Sequence, residues 1–94
     1  MLPEDIIKSI ENNSKNSFEA AFIFKLCLKI KSMNLNVGND QLIRSALVIT
    51  AFSSDKLENL IRMKFNDDPR DILVLANEMN PRINYGITQF ENKS

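Results

Sequence analysis

Residues 40–52, DQLIRSALVITAF, form a segment that is almost continuously apolar in its second half. This stretch is polar only in its first half, and from Ala46 onward Thr50 is the single polar residue before Ser53. A helix that is apolar on every side is normally a buried one. The sequence therefore predicts a helix over about 40–52 at the centre of the domain, with the other elements packed around it.

Four other segments have the apolar spacing and the end signals of amphipathic helices. Pro3 suits the first position of a helix, Ser17 is a natural N-cap, and Asp68 before Pro69 is a compact start signal. Together with the central one, the predicted helices span residues 3–11, 18–33, 40–52, 56–65 and 69–79. Their short connections, of about 2–7 residues, predict an all-α fold, a compact bundle of about five short helices.

The inner face of each outer helix follows from the helical period. The predicted inner residues are Ile6, Ile7 and Ile10; Phe22, Ile23, Leu26, Cys27, Ile30 and Met33; Leu57, Leu60 and Ile61; and Ile72, Leu75, Ala76 and Met79. Four apolar residues fall outside these faces, namely Phe24, Leu28, Leu73 and Val74. Two charged residues, Glu19 and Lys64, fall on the inner faces of their helices. Lys64 either extends outward to water or forms a buried pair with Glu19.

The C-terminal segment changes pattern at Asn80-Pro81, where the helical spacing stops. Ile83, Tyr85 and Ile87 then alternate with polar residues, as in an extended strand. We predict a helical domain over residues 1–80 and an extended C-terminal tail over residues 81–94. Two interpretations of the tail stay open. It either packs across its own bundle as a strap or pairs with a strand of another chain.

The residue types of the 94-residue chain argue against catalysis and against metal binding. Histidine is absent and Cys27 is the only cysteine, so a general-base histidine and a structural zinc site are both missing. Cys27 lies among apolar neighbours and is interpreted as a buried structural thiol. Asp67, Asp68 and Asp71 are interpreted as capping residues, since their spacing does not match a calcium loop. We predict no enzyme activity, no metal and no cofactor.

The composition also predicts a soluble cytoplasmic protein. No apolar run approaches the roughly 20 residues that span a bilayer. Glu4 and Asp5 stand where a signal peptide would be basic, and a single cysteine fits a reducing compartment. The initial Met suggests a complete product, and the many Asn, Ile and Lys codons suggest an AT-rich genome.

The predicted function is a non-enzymatic protein-protein interaction module, either an adaptor or a small inhibitor or immunity-type protein that occludes a partner surface. The partner is another protein or a second copy of the chain, as in a homodimer. The predicted contact residues are Ile83, Tyr85, Ile87, Phe90, Leu73 and Val74.

The alternative is a helix-turn-helix regulator that reads DNA. Its DNA-binding residues would be Lys56, Asn59, Arg62 and Lys64. Nucleic acid is the weaker expectation for two reasons. Twelve basic residues are balanced by twelve acidic ones, and the basic residues of 56–65 form no stripe.

Overall fold

A computed structural model describes residues 2–33, 39–64 and 70–79. Within these ranges the chain forms five α-helices and no strand. The helices are α1 (Glu4–Asn13), α2 (Ser17–Lys31), α3 (Asn39–Ile49), α4 (Ser54–Lys64) and α5 (Arg70–Met79). The all-α prediction is confirmed. The predicted tail, residues 81–94, lies outside the described residues.

The helix α3 lies at the centre of the bundle, as its composition predicts. Its side chains Leu42, Ile43, Ala46 and Leu47 are completely buried. The helix packs against α2, α4 and α5, and its most extensive contact is with α5. The apolar side chains that α1, α2 and α4 contribute to the same core include Ile6, Ile10, Ile23, Ile30 and Leu57.

The helix α3 ends at Ile49, three residues before the predicted end, because the backbone reverses direction there. Ala51 and Phe52 both have positive φ angles, 51° and 58°. The Ala51 N–H donates to the carbonyl of Val48, and the Phe52 N–H donates to the carbonyl of Leu47. This pair of bonds is the Schellman arrangement, which satisfies helix carbonyls that would otherwise have no partner.

A side-chain amide joins the end of α2 to the start of α3. The Nδ2 atom of Asn39 donates to the backbone carbonyls of Ile30 and Met33, at 2.8 and 2.9 Å. Lys31 at the end of α2 pairs with Asp40 in the first turn of α3, at 2.7 Å. These contacts hold the start of α3 against the end of α2.

A buried ion pair connects α1 to α3. The Nε and Nη2 atoms of Arg44 donate to the two carboxylate oxygens of Asp5, at 2.9 and 3.1 Å, and both side chains are almost fully buried. The spacing within either helix carries no sign of this pairing, because the two residues are far apart in the chain.

Two details predicted for α2 are wrong. The N-cap is Asn16 rather than Ser17, since the Asn16 Oδ1 atom accepts from the Glu19 N–H at 2.9 Å. Phe22 is 45% exposed, although its spacing placed it on the inner face. Of the two residues assigned to no face, Phe24 packs against the core and Leu28 is exposed.

The inner face predicted for α5 is also partly wrong. Ile72 and Ala76 are buried as expected, but Leu75 is 37% exposed and Met79 is 57% exposed. Leu73, which had no place on the predicted face, belongs to the core. The reason is that α5 packs chiefly against α3, so the stripe that meets α3 decides which side chains are covered.

Candidate functional site

An open groove of about 570 Å³ runs between α2 and α4. Its floor includes the buried side chains Leu26 from α2 and Ile61 from α4. The residues that line the rest of it are Phe18, Ala21, Phe22, Lys25, Lys29, Glu58 and Arg62. The volume falls within the range of about 300–1,000 Å³ that is usual for binding sites.

The α2 wall of the groove is a second face of that helix, separate from the face in the core. Phe18, Phe22, Lys25 and Lys29 follow the i, i+4, i+7, i+11 spacing of a helical stripe. At roughly 100° per residue, this stripe is rotated by about 120° from the buried side chains of α2. Phe18 is 86% exposed. Two aromatic rings on neighbouring turns are therefore presented outward at one end of the stripe.

The other end of the stripe is basic. Lys25 and Lys29 are exposed, and no carboxylate in the described part of the chain lies within ion-pair distance of either ammonium group. Across the groove on α4, Arg62 pairs with Glu58 at 2.9 Å. The lining thus holds three cations and one carboxylate, and its net charge is positive.

A carboxylate from α2 fixes the position of α4 beside it. Both oxygens of Glu19 accept hydrogen bonds from Ser54, the first residue of α4, one from the backbone N–H at 2.8 Å and one from the hydroxyl at 3.0 Å. A carboxylate is well placed there, because the N-terminus of a helix carries partial positive charge. The backbone and hydroxyl hydrogen bonds from Ser54 lower the pKa of Glu19, and nearby Lys15 lowers it further.

The Glu19 contact also sets the direction of the two groove walls. The floor residues Leu26 and Ile61 each lie seven residues beyond it, along α2 and α4 respectively. This equal spacing indicates that the two helices start together and run in the same general direction. The groove therefore lies between the side chains of two helices that run side by side from this contact.

The sequence offered Lys64 as a buried partner for Glu19, but the partner in the structure is Ser54. The backbone of Lys64 is ten residues further along α4, about 15 Å from Ser54 by the helical rise. The side chain of Lys64 lies outside the described part of the chain.

Within the described ranges lie two of the six predicted contact residues, Leu73 and Val74. Leu73 is in the core of the bundle, while Val74 next to it is exposed on α5. Ile83, Tyr85, Ile87 and Phe90 lie outside the described residues, so their proposed role stays a prediction. Of the DNA-binding alternative, Lys56, Asn59 and Arg62 are exposed on α4.

The predicted burial of Cys27 is confirmed. Its thiol is completely enclosed by the core, and burial raises its pKa to about 12. A thiolate is the reactive form of cysteine. Cys27 is therefore a packing residue and not a nucleophile near neutral pH.

No protein-family model, curated protein or solved structure matches this chain. Among the residues that the structure describes, no group of three His, Cys, Asp or Glu side chains could hold a metal ion. Within the same ranges, no helix combines the length and the apolar character needed to cross a membrane.

The stretch FEAAFIFKLCLK, residues 18–29, contained a signal that the sequence interpretation missed. Lys25 and Lys29 follow the two phenylalanines along the same side of this stretch. On a helical wheel Phe18 and Phe22 lie within about 60° of these two lysines. This stripe indicates a second face of α2 besides the core face, but it does not indicate which helix lies beside it.

Proposed function

We propose that this protein is a non-enzymatic protein-interaction module and that the groove between α2 and α4 is its docking surface. The observation that carries the proposal is the outward position of Phe18 and Phe22 beside an apolar floor. Burying an exposed phenylalanine ring contributes about 1.5–3 kcal/mol of favourable free energy. Phe18 is 86% exposed, so the described fold does not obtain most of this contribution. A partner that covers the groove would obtain it.

The groove has the general composition of a protein-binding site. Its centre is apolar and aromatic, whereas Lys25, Lys29, Glu58 and Arg62 supply a polar rim. Interfaces commonly have such a core and rim, and aromatic residues contribute much of their binding energy. A chain of this size that binds through this groove would act by covering part of its target, as an adaptor or a small inhibitor does.

Two further properties support a cytoplasmic, non-catalytic role. The single cysteine is held as a buried thiol, which suits a reducing compartment. The charged pair nearest to the groove floor, Glu58 and Arg62, is exposed to water and lacks the enclosed surroundings that tune catalytic groups.

The helix-turn-helix alternative has less support from the surface of α4. Lys56 and Arg62 are exposed there, but Asp55 is exposed on the same helix and Arg62 is paired with Glu58. A surface that reads DNA needs cations that are available to neutralise phosphates.

The proposal is tested by capture from a lysate of the source organism, with three forms of the full chain as bait: wild type, Phe18→Ser with Phe22→Ser, and Val74→Ser. We expect wild type and Val74→Ser to retain the same protein in stoichiometric amount, and the double phenylalanine variant to lose it. Circular dichroism and thermal melts of all three check that the helices are intact.

Loss of the captured protein with Val74→Ser, and not with the phenylalanine variant, would move the docking surface from the groove to α5. A capture that none of the substitutions affects would overturn the groove proposal. Salt-dependent binding of duplex DNA by the wild-type chain, without a protein partner, would support the helix-turn-helix alternative.

A further inference from the structure

We infer that the occupant of the α2–α4 groove is an acidic amphipathic helix. Its apolar side chains would pack on Phe18 and Phe22, and its carboxylates would face Lys25 and Lys29. This inference rests on the proposed function and adds the chemical class of the partner. It draws on the shape of the groove, on the order of residues along α2 and on the charge of the lining.

The shape of the groove suits a helix. Its walls are two helices that run side by side from the Glu19–Ser54 contact, and a helix can lay its own ridge of side chains between two such ridges. The stripe from Phe18 to Lys29 rises by about 16 Å, or three turns. A partner helix of about 11 residues would match that length, as in other helix-in-groove complexes.

The order of residues along the stripe determines the pattern that the partner needs. Two aromatic residues one turn apart are followed by two lysines one turn apart. The complementary helix has apolar residues in one half of its contact face and acidic residues in the other half. Such a partner is held in one register, because a shift of one turn would bring a carboxylate onto a phenylalanine ring.

The charge of the lining selects an acidic partner over a basic or neutral one. Three cations and one carboxylate surround the groove, and within the described residues Lys25 and Lys29 have no carboxylate at ion-pair distance. Complementary charge at the rim of an interface chiefly increases the association rate and suppresses wrong partners. The predicted binding is therefore sensitive to salt.

Two other occupants fit the lining less well. A second copy of the chain, bound about a two-fold axis, would bring Lys25 and Lys29 of both copies to the same interface. A single-stranded nucleic acid could stack bases on the phenylalanines. However, the carboxylate of Glu58 lies in the α4 wall, and the aliphatic floor of Leu26 and Ile61 offers no flat ring for stacking.

The test uses the full chain and three fluorescent probes, measured by anisotropy at low salt and at about 0.3 M salt. Two probes are helical peptides of about 14 residues with the same apolar residues, one with glutamates and one with lysines in the polar half of the contact face. The third is a mixed-sequence single-stranded RNA. We expect the acidic peptide to bind at least about tenfold more tightly than the basic one, with a preference that falls as salt rises.

Variants of the chain assign any binding to the groove. Lys25→Glu with Lys29→Glu should reverse the preference between the acidic and the basic peptide, and Phe18→Ser should weaken both. Lys56→Glu is the matched control, because Lys56 is an exposed cation on α4 that does not line the groove. It should leave the ratio of the two affinities within about twofold of wild type.

Four results would overturn the inference. They are equal binding of the two peptides, no binding of either peptide, tighter binding of the RNA than of the acidic peptide, or a dimer in solution that Phe18→Ser dissociates. None of these results by itself removes the proposed function, which the capture experiment decides separately. A captured protein that is lost with the phenylalanine variant would keep the groove as a docking site for a partner of different chemistry.

Discussion

At the scale of single residues, the turn between α3 and α4 holds Ala51 in a strained backbone conformation that a substitution can relieve. Ala51 has a φ of 51° and is exposed, so its side chain makes no packing contribution that a glycine would lose. A non-glycine residue in the left-handed region is disfavoured by about 1 kcal/mol or more, whereas glycine adopts it freely. We expect Ala51→Gly to increase the free energy of unfolding by about 0.5–1 kcal/mol, as measured by urea denaturation.

The control for this substitution is Ala21→Gly. Ala21 is also exposed but lies within α2, where glycine lowers the free energy of unfolding by about 0.5–1 kcal/mol. Opposite signs for the two alanine substitutions are the expected result. Destabilisation by both would show that the left-handed geometry at Ala51 does not determine the effect.

The buried pair of Asp5 and Arg44 is the second feature that operates at the scale of residues. Removing one partner leaves the other charge buried without its bidentate contact, which costs about 3–5 kcal/mol. We expect Asp5→Ala to lower the free energy of unfolding by that amount. The double variant Asp5→Leu with Arg44→Met should recover most of it, because no uncompensated charge remains.

Urea denaturation of the single and double variants measures the difference. If the double variant is as unstable as Asp5→Ala, the loss of stability comes from the missing contact between α1 and α3 and not from an uncompensated buried charge.

At the scale of elements, the groove depends on the cap that α2 supplies to α4. Because its pKa is lowered in the folded state, Glu19 stabilises the fold most when it is ionised. This contribution is complete above the ordinary value of 4.5 and is lost as the pH falls through the lowered value. We expect Glu19→Gln to lower the Tm at neutral pH, and the gap to wild type to narrow as the pH falls below 4.5.

Thermal melts of wild type and Glu19→Gln across this pH range test the expectation. Glu11→Gln, on the exposed surface of α1, is the control and should show no comparable fall of the Tm. A gap between wild type and Glu19→Gln that stays constant with pH would contradict an origin in the charge of the carboxylate.

Features of a helix that depend on neighbouring residues in the chain are predictable from the sequence, whereas features that depend on contacts with other helices are not. All five helices occur close to the predicted positions, because apolar spacing and end signals are local properties of the chain. The end of α3 was misplaced because the left-handed turn at Ala51 uses no glycine, the usual signal for it. The face of α5 was misassigned because the partner helix selects it.

At the scale of the whole molecule, Cys27 reports on the opening of the core. Its thiol is completely buried and its pKa is about 12, so a thiol reagent should react with it only when the fold opens. We expect labelling in native buffer to be slower by orders of magnitude than labelling in urea. Its rate should rise with urea in parallel with global unfolding.

Reaction with a chromogenic disulfide reagent, followed by absorbance at increasing urea concentration, measures this rate. Rapid labelling of the native protein, with no dependence on urea, would contradict the burial of the thiol and would point to an opening confined to α2.

The fold class, the number of helices in the described ranges and the burial of α3 and Cys27 are all predictable from the amino-acid sequence. These properties follow from the composition and period of segments that are continuous in the chain. Tertiary structure alone decided the Asp5–Arg44 pair, the Glu19–Ser54 cap and the existence of a groove between α2 and α4. Each of these joins residues from separate helices, and a local pattern does not record which helices come to lie side by side.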